Sequence, residues 1–430
     1  MNAIGRALSS VVEVGREILS RRLPAAQADI AGAAGLAGLC RRLLEHRGEA
    51  SGLALAGEVA RLYRELPAAE REAFFESLLT EFGVDDEAVH AAAEDYRANP
   101  DFDHLTALTR AVEAPRQKLF RRINTAAGGT ATLVEMRGHL LGLLRQRPEL
   151  RAVDSDLKHL FISWFNKGFL EMQRISWDTP ASVLEKIIAY EAVHAINGWD
   201  DLRRRLAGDR ACYAFFHPAI PGDPLVFVEV AFTETIPDAI APLLSNAQDT
   251  ADIGDRDTVV FYSISNCHTG LAGVSFGNFL IKQVVQEVVQ EHPSVRTFVT
   301  LSPIPGFRKW LLSADLSELI DPSLVESVRS PLGKVVAAET RDALMTLCAH
   351  YLVNVKGGRL ARDPVARFHL GNGARLHRLH WAADLSTKGR EQSAGMMVNY
   401  LYDLDRIEIN HEAYFDQGEI AVSKSITRLL

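Results

Sequence analysis

Ser302 stands in TFVTLSPIPGFRKW, residues 297–310, where two apolar alternations run into Ser-Pro-Ile-Pro-Gly. A hydroxyl there can hydrogen-bond a carboxylate or a developing oxyanion, provided the backbone holds it still. Pro303 and Pro305 fix φ and bar a helix, and Gly306 admits a sharp turn. A second side chain of a type that could do chemistry is His369, in DPVARFHLGNGARLHRLHWAADL, residues 363–385, although a lone histidine in a strand is more often structural. Imidazole is the side chain best matched to proton transfer near neutral pH. Gly371-Asn372-Gly373 between two alternating runs predicts a hairpin. On its first strand Ala366, Phe368 and Leu370 share one face, and His369 points with Arg367 to the other. On the returning strand His377 and His380 face opposite sides and do not make a zinc pair. The other histidines are scattered, so no metal site is expected.

The third feature is TVVFYSISNCHTGLAGVSFGNFLIKQVVQEVVQEH, residues 258–292. It reads as a strand, a turn carrying Gly270, Gly273 and Gly277, and a long amphipathic helix. Glycines ahead of a helix let backbone N–H groups approach a phosphate at the positive end of the helix dipole. Neither the P-loop G-K-[ST] nor the dinucleotide GxGxxG is present. Gly273-Val274-Ser275-Phe276-Gly277 does match the G-x-S-x-G nucleophile elbow of hydrolases. An elbow serine must sit directly at the strand-to-helix turn. The strand here is expected to end near Ser265, several residues short of Ser275, which argues against that reading.

These groups must be carried by a scaffold, and the chain changes texture along its length. Residues 1–160 are rich in Ala, Leu, Arg and Glu at helical spacing, as in ARLYRELPAAEREAFFESLLTEF and TATLVEMRGHLLGLLRQ, and predict an all-helical domain for packing or oligomerisation. Residues 161–430 mix strand-like runs with helices. CYAFFHP, PLVFVEVAFTE, TVVFYSIS, RTFVTLS, RFHLGNGARLHRLHWAADL and GMMVNYLYDL read as strands, and NFLIKQVVQEVVQEH and ETRDALMTLCAHYLV as helices. The fold class is therefore α+β with two domains.

Composition removes several functions. A net charge of −8 argues against nucleic acid or an anionic membrane as partner. No apolar run is long enough to span a bilayer. Cys40, Cys212, Cys267 and Cys348 lie far apart without a CxxC pair, which fits a reducing compartment. The opening MNAIGRALSSVVEVGREILSRR is Arg-rich, yet Glu13 and Glu17 are unlike a transit peptide, and a cytoplasmic location is expected.

Six stretches together resemble the malonyl-CoA decarboxylase family. They are WDTPASVLEKIIAYEAVHAINGWDDLRRRL, YSISNCHTGLAGVSFGNFLIKQVV, TLSPIPGFRKWLL, DPVARFHL, NGARLHRLHWAADLSTKG and GMMVNYLYD, in order and across most of residues 160–405. The resemblance implies a helical domain followed by a catalytic domain of the acetyltransferase (GNAT) fold, assembled as a homotetramer. It implies that Ala272, Gly273, Val274, Ser275, Phe276, Gly277 and Asn278 hold the coenzyme A of malonyl-CoA, and that Ser302 and His369 are the catalytic pair. No separate cofactor is expected, because CoA is part of the substrate. The segment between Ser302 and His369 is shorter than in animal members, and the chain ends RLL rather than in a peroxisomal SKL-type signal. A GNAT-type acyltransferase using acetyl-CoA and a non-catalytic acyl-CoA-binding module stand as the alternatives.

Overall fold

The computed structural model describes residues 32–245, 256–274, 279–331 and 336–430, together with Val14 and Gly254. Contacts divide the chain into two compact units. The first comprises the chain up to Glu171 with His217–Asp223 and His268–Ser275. The second holds Met172–Phe216, Pro224–Cys267 and Phe276–Leu430.

The first unit is helical. Its helices are α1 (Gly32–Glu45), α2 (Glu49–Glu65), α3 (Ala68–Thr80), α4 (Asp86–Ala98), α5 (Phe102–Val112), α6 (Pro115–Asn124), α7 (Gly129–Leu143) and α8 (Arg151–Trp164). Pro67 separates α2 from α3: it forces Leu66 to extended backbone (φ −68°, ψ 128°) and itself caps the next helix. Tyr63, Phe74, Phe75, Leu119, Phe120, Leu133, Leu157 and Phe161 fill the core with apolar stripes at helical spacing.

A mixed sheet organises the second unit. Its strands are β1 (Glu171–Ile175), β2 (Arg210–Phe216), β3 (Val226–Thr233), β4 (Thr258–Asn266), β5 (Thr297–Thr300) and β6 (Ser302–Pro303). A separate two-stranded ribbon is formed by β7 (Lys356–Gly357) and β8 (Leu360–Ala361), and β9 (Arg375–His380) and β10 (Met397–Tyr402) return to the main sheet. The order is β1-β2-β3-β4-β5-β10-β6, with β9 also on β10. Strands β2, β3 and β4 are antiparallel, β4 and β5 are parallel, and β10 is antiparallel to β5, β6 and β9. The sheet therefore runs antiparallel, parallel and antiparallel again, with a helix crossing over between β4 and β5, and with the helical first unit it makes the chain α+β, as expected. The crossover helix is α12 (Phe279–Glu291), preceded by α9 (Ala181–Tyr190), α10 (Trp199–Arg205) and the short α11 (Ala241–Leu244).

Two irregularities shape the middle of the sheet. The register of β4 on β3 slips opposite Glu229 and Val230, leaving Tyr262 as an extra residue. The parallel ladder stops at Phe261↔Thr300, although β4 continues to Asn266. Beyond that point β5 gives way to Ser302 and Pro303, which pair with Val398 and Met397 of β10.

The remaining helices are α13 (Phe307–Ser313), α14 (Val325–Arg329), α15 (Ala338–Val353), α16 (Pro364–Gly371), α17 (Thr387–Ser393), α18 (Ile407–Gln417) and α19 (Lys424–Thr427). Here one expectation fails. Residues 364–371 form a helix and not the first strand of a hairpin. Asp363 is its N-cap, accepting from the N–H groups of Val365 and Ala366, and Pro364 occupies the first helical position, where its missing N–H costs nothing. The Gly-Asn-Gly stretch closes this helix: Gly373 has φ 81° and follows the C-cap Asn372. Only the second half of the expected hairpin is a strand, β9, and it pairs with β10.

Candidate active site

Strand alternation places Thr300 and Ser302 on one side of the sheet, and Tyr400 and Tyr402 alternate in the same way on the neighbouring β10. Helix α16 delivers His369 to these four residues. The Ser302 Oγ lies 3.2 Å from His369 Nε2 and donates to Thr300 Oγ1 at 2.9 Å. On the other side of the ring, His369 Nδ1 is 2.8 Å from the Tyr402 hydroxyl. With the Ser302 proton on Thr300, Nε2 carries the ring proton toward Ser302 and Nδ1 accepts from Tyr402. The Tyr400 ring stacks on the imidazole with centroids 4.7 Å apart and planes at 24°. Packing and two hydrogen bonds therefore fix both the position and the tautomer of His369.

Thr300 anchors the lower end of this chain. Its Oγ1 also accepts from the Tyr400 N–H at 3.1 Å, and its carbonyl accepts from the Asn399 side-chain amide at 2.8 Å. These bonds lie between the β10–β5 pairs, which end at Leu401↔Val299, and the β10–β6 pairs, which begin at Val398↔Ser302. Downstream, Ile304 N–H donates to Ser393 Oγ at 2.9 Å and Gly306 N–H to Asp363 Oδ2 at 3.0 Å. The serine loop is thus pinned on both sides of Ser302. Gly306 has φ −88°, so it is not there to turn the chain; a Cβ at that position would lie 2.1 Å from the Tyr351 hydroxyl. The glycine supplies room for close packing.

The pair is withdrawn from water: Ser302 is 5% and His369 4% exposed. Burial pushes the His369 pKa down to about 3. Its imidazole is neutral in the free protein. Burial likewise drives the Tyr402 hydroxyl well above its ordinary range, so it stays protonated and available as a donor.

The glycine loop divides into positions of different character. Gly270 belongs to packing within the first unit: a Cβ there would lie 1.8 Å from the Val134 carbonyl oxygen of α7. Arg137, almost fully buried, clamps the same turn by donating to the carbonyls of Gly270 and Ala272 at 2.7 and 2.8 Å, while Asp154 holds its Nε at 2.7 Å. Gly273 adopts left-handed backbone, φ 72°, and the Lys158 ammonium lies 3.3 Å from the site of its missing Cβ. Val274 is buried and Ala272 exposed. Ser275, Phe276, Gly277 and Asn278 lie outside the described residues. The elbow geometry is not met, because β4 ends at Asn266 and α12 begins at Phe279.

Sequence reasoning passed over Thr300, Asp363, Tyr400 and Tyr402 as partners of the pair. The two tyrosines had a usable signal: at two-residue spacing in GMMVNYLYD they share a face of one strand.

Comparison with known proteins fits this arrangement to a family. The malonyl-CoA decarboxylase N-terminal domain profile matches residues 82–165 and the C-terminal domain profile residues 168–430. The goose (Anser anser anser) protein named malonyl-CoA decarboxylase, mitochondrial, is 36% identical over 414 residues, covering 86% of this chain and 82% of its own. The crystal structure of malonyl-CoA decarboxylase from Rhodopseudomonas palustris is 49% identical, with a TM-score of 0.89, covering 93% of this chain and 100% of the other. That from Agrobacterium vitis is 47% identical, with a TM-score of 0.85, covering 92% and 99%. The chain carries a helical unit and a mixed α/β unit, and it is an enzyme of the carboxy-lyase class. It belongs to the malonyl-CoA decarboxylase family.

Proposed function

We propose that the protein converts malonyl-CoA to acetyl-CoA and CO2, with Ser302 and His369 as the groups that touch the reacting atoms. The observation that carries this reading is the buried chain from Thr300 through Ser302 and His369 to Tyr402. Loss of CO2 from a malonyl thioester leaves the enolate of acetyl-CoA. The thioester carbonyl is itself the electron sink, so the chemistry calls for no further cofactor or metal. The protein must hold the carboxylate out of the thioester plane, donate to the enolate oxygen and deliver one proton to carbon.

Ser302 is the donor to the substrate oxygen: its hydroxyl turns from Thr300 to the bound thioester or carboxylate. A preorganised donor of this kind matters by about 3 kcal/mol. His369 is the proton donor. A malonyl carboxylate bound against the ring opposes the desolvation that keeps it neutral, so a proton from water enters with the substrate. The imidazolium then protonates the enolate carbon as CO2 departs and returns to its neutral form. Tyr402 is a positioning residue that keeps Nδ1 engaged.

The CoA phosphates and pantetheine arm are assigned to the loop from Ala272 to Asn278, supported by the left-handed Gly273 with Lys158 beside it. Assembly as a homo-oligomer, a tetramer by family resemblance, is part of the same proposal. So is a reducing, cytoplasmic compartment, supported by four free cysteines, three of them buried; among the described residues no helix is long and apolar enough to cross a membrane.

The test is incubation of the purified protein with malonyl-CoA alone, following CO2 release and acetyl-CoA. Turnover without an added acceptor is expected. Acyl transfer only when an amine is supplied, or binding without turnover, overturns the assignment.

A further inference from the structure

The two proposed catalytic residues reach each other from separate segments, and one side chain touches both segments. Asp363 is completely buried. Its Oδ1 accepts from the N–H groups of Val365 and Ala366, both at 3.0 Å, and so caps the helix that carries His369. Its Oδ2 accepts from the Gly306 N–H at 3.0 Å, in the loop that follows Ser302. The Tyr351 hydroxyl of α15 stands beside the same carboxylate. A helix cap alone uses one oxygen and tolerates exposure. This carboxylate uses both oxygens, and its second bond runs to the serine loop 57 residues away.

We propose that Asp363 is a positioning residue for the reaction: it sets the distance between Ser302 and His369 by holding the serine loop and the histidine helix on one carboxylate. The inference rests on the assignment of Ser302 and His369 as the reacting pair. Burying a carboxylate is costly unless several donors surround it, and here three backbone N–H groups and a tyrosine hydroxyl do so. Removing the bridge takes away the Gly306 anchor and uncouples the loop from the histidine helix, while the Ile304–Ser393 bond and the Ser302 and His369 side chains stay intact. A displacement near 1 Å between reacting groups is enough to cost about 10²-fold in rate.

Two substitutions separate bridging from capping. In Asp363→Ser the hydroxyl still caps α16 but is too short to reach Gly306. In Asp363→Asn the side chain keeps its length and its carbonyl oxygen still caps the helix, but its amide NH2 meets the Gly306 N–H donor to donor and cannot accept from it, so the bridge is lost without loss of bulk. The expected result is folded D363S and D363N proteins, each with kcat down about 10-fold or more and KM within about 2-fold. Combined with His369→Asn, D363S should add little to the loss, since it acts through the pair. If D363S does not fold, Asp363→Thr, which caps equally and fills more space, is read in the same way. A folded D363S or D363T with kcat within about 2-fold of the parent overturns the proposal, as does a loss fully additive with H369N. Full turnover in S302A and H369N fails the pair itself, whatever the Asp363 variants do, and the two failures are thereby distinguished.

Discussion

Ser302 Oγ and His369 Nε2 stand 3.2 Å apart although 67 residues separate them in the chain, and Tyr402 closes the other side of the imidazole at 2.8 Å. An isolated serine-histidine contact can be incidental packing. A contact closed at both ends by hydrogen bonds, stacked under Tyr400 and almost fully shielded from water is an organised site. Ser302→Ala and His369→Asn are each expected to lower kcat by roughly 10²-fold or more while leaving CoA affinity unchanged. The double variant should lose little beyond the worse single one. Steady-state kinetics with saturating malonyl-CoA, together with calorimetric CoA binding, checks this. Undiminished turnover in either single variant removes that residue from the mechanism.

Tyr402→Phe addresses the tautomer. The ring still packs against Phe261 and the imidazole, but Nδ1 loses its donor. An unpartnered buried nitrogen costs about 1–3 kcal/mol of stability, and the ring is freer to take the wrong tautomer. We expect kcat to fall roughly 10-fold with KM nearly constant, and no additional fall when Y402F is combined with H369N. A rise in KM with kcat unchanged would instead give Tyr402 a role in binding.

The loop glycines should respond differently from one another. Gly270→Ala drives a methyl group into the Val134 carbonyl at 1.8 Å, where the opposing atom is backbone and cannot move cheaply. The expected result is destabilisation by about 1–3 kcal/mol, seen as a lower melting temperature. Gly273→Asp meets only the flexible Lys158 side chain, whose charge it can pair, and Asp tolerates left-handed backbone better than most residues. The fold should survive while CoA affinity collapses, because a carboxylate then occupies the proposed phosphate position. Calorimetry on the folded G273D protein decides it; unchanged CoA affinity removes the loop from the CoA site.

Much of this architecture is legible from local pattern. The helical half, the buried strands β2 to β5 and β10, and the crossover helix α12 follow from apolar periodicity. Helix α16 does not, because Phe368-His369-Leu370 before Gly-Asn-Gly reads equally well as alternation into a turn. The deciding signal was Asp363-Pro364, a cap followed by the residue favoured at the first helical position. The spacing of Tyr400 and Tyr402 showed a shared face without showing what they face. The bond from Gly306 to Asp363, and the closeness of Gly306 to Tyr351, join distant segments and have no local signature. The family resemblance therefore proposes Ser302 and His369, but nothing local in the sequence points to the carboxylate that joins their segments.

The protonation state of His369 gives the remaining prediction. An imidazolium donor suggests activity lost as pH rises through the ordinary histidine range, but desolvation lowers this pKa from 6.5 to about 3 in the free protein. The sign for stability follows from proton uptake. Between those values the unfolded chain binds a proton that the folded chain does not, so unfolding becomes easier as pH falls. The stabilising contribution is complete above pH 6.5 and is lost progressively toward about pH 3. Between about pH 4 and 6, parent stability should fall more steeply than that of His369→Asn, by up to about 1.4 kcal/mol per pH unit, as read by denaturant unfolding. For activity, kcat/KM reports the free enzyme and should show no His369-dependent inflection between about pH 5 and 8. The inflection belongs to kcat, where the bound carboxylate raises the ring's pKa and activity is lost on the alkaline side. An inflection near pH 6.5 in kcat/KM that disappears in H369N would mean that the ring is charged before substrate arrives, and the neutral resting state would have to be abandoned.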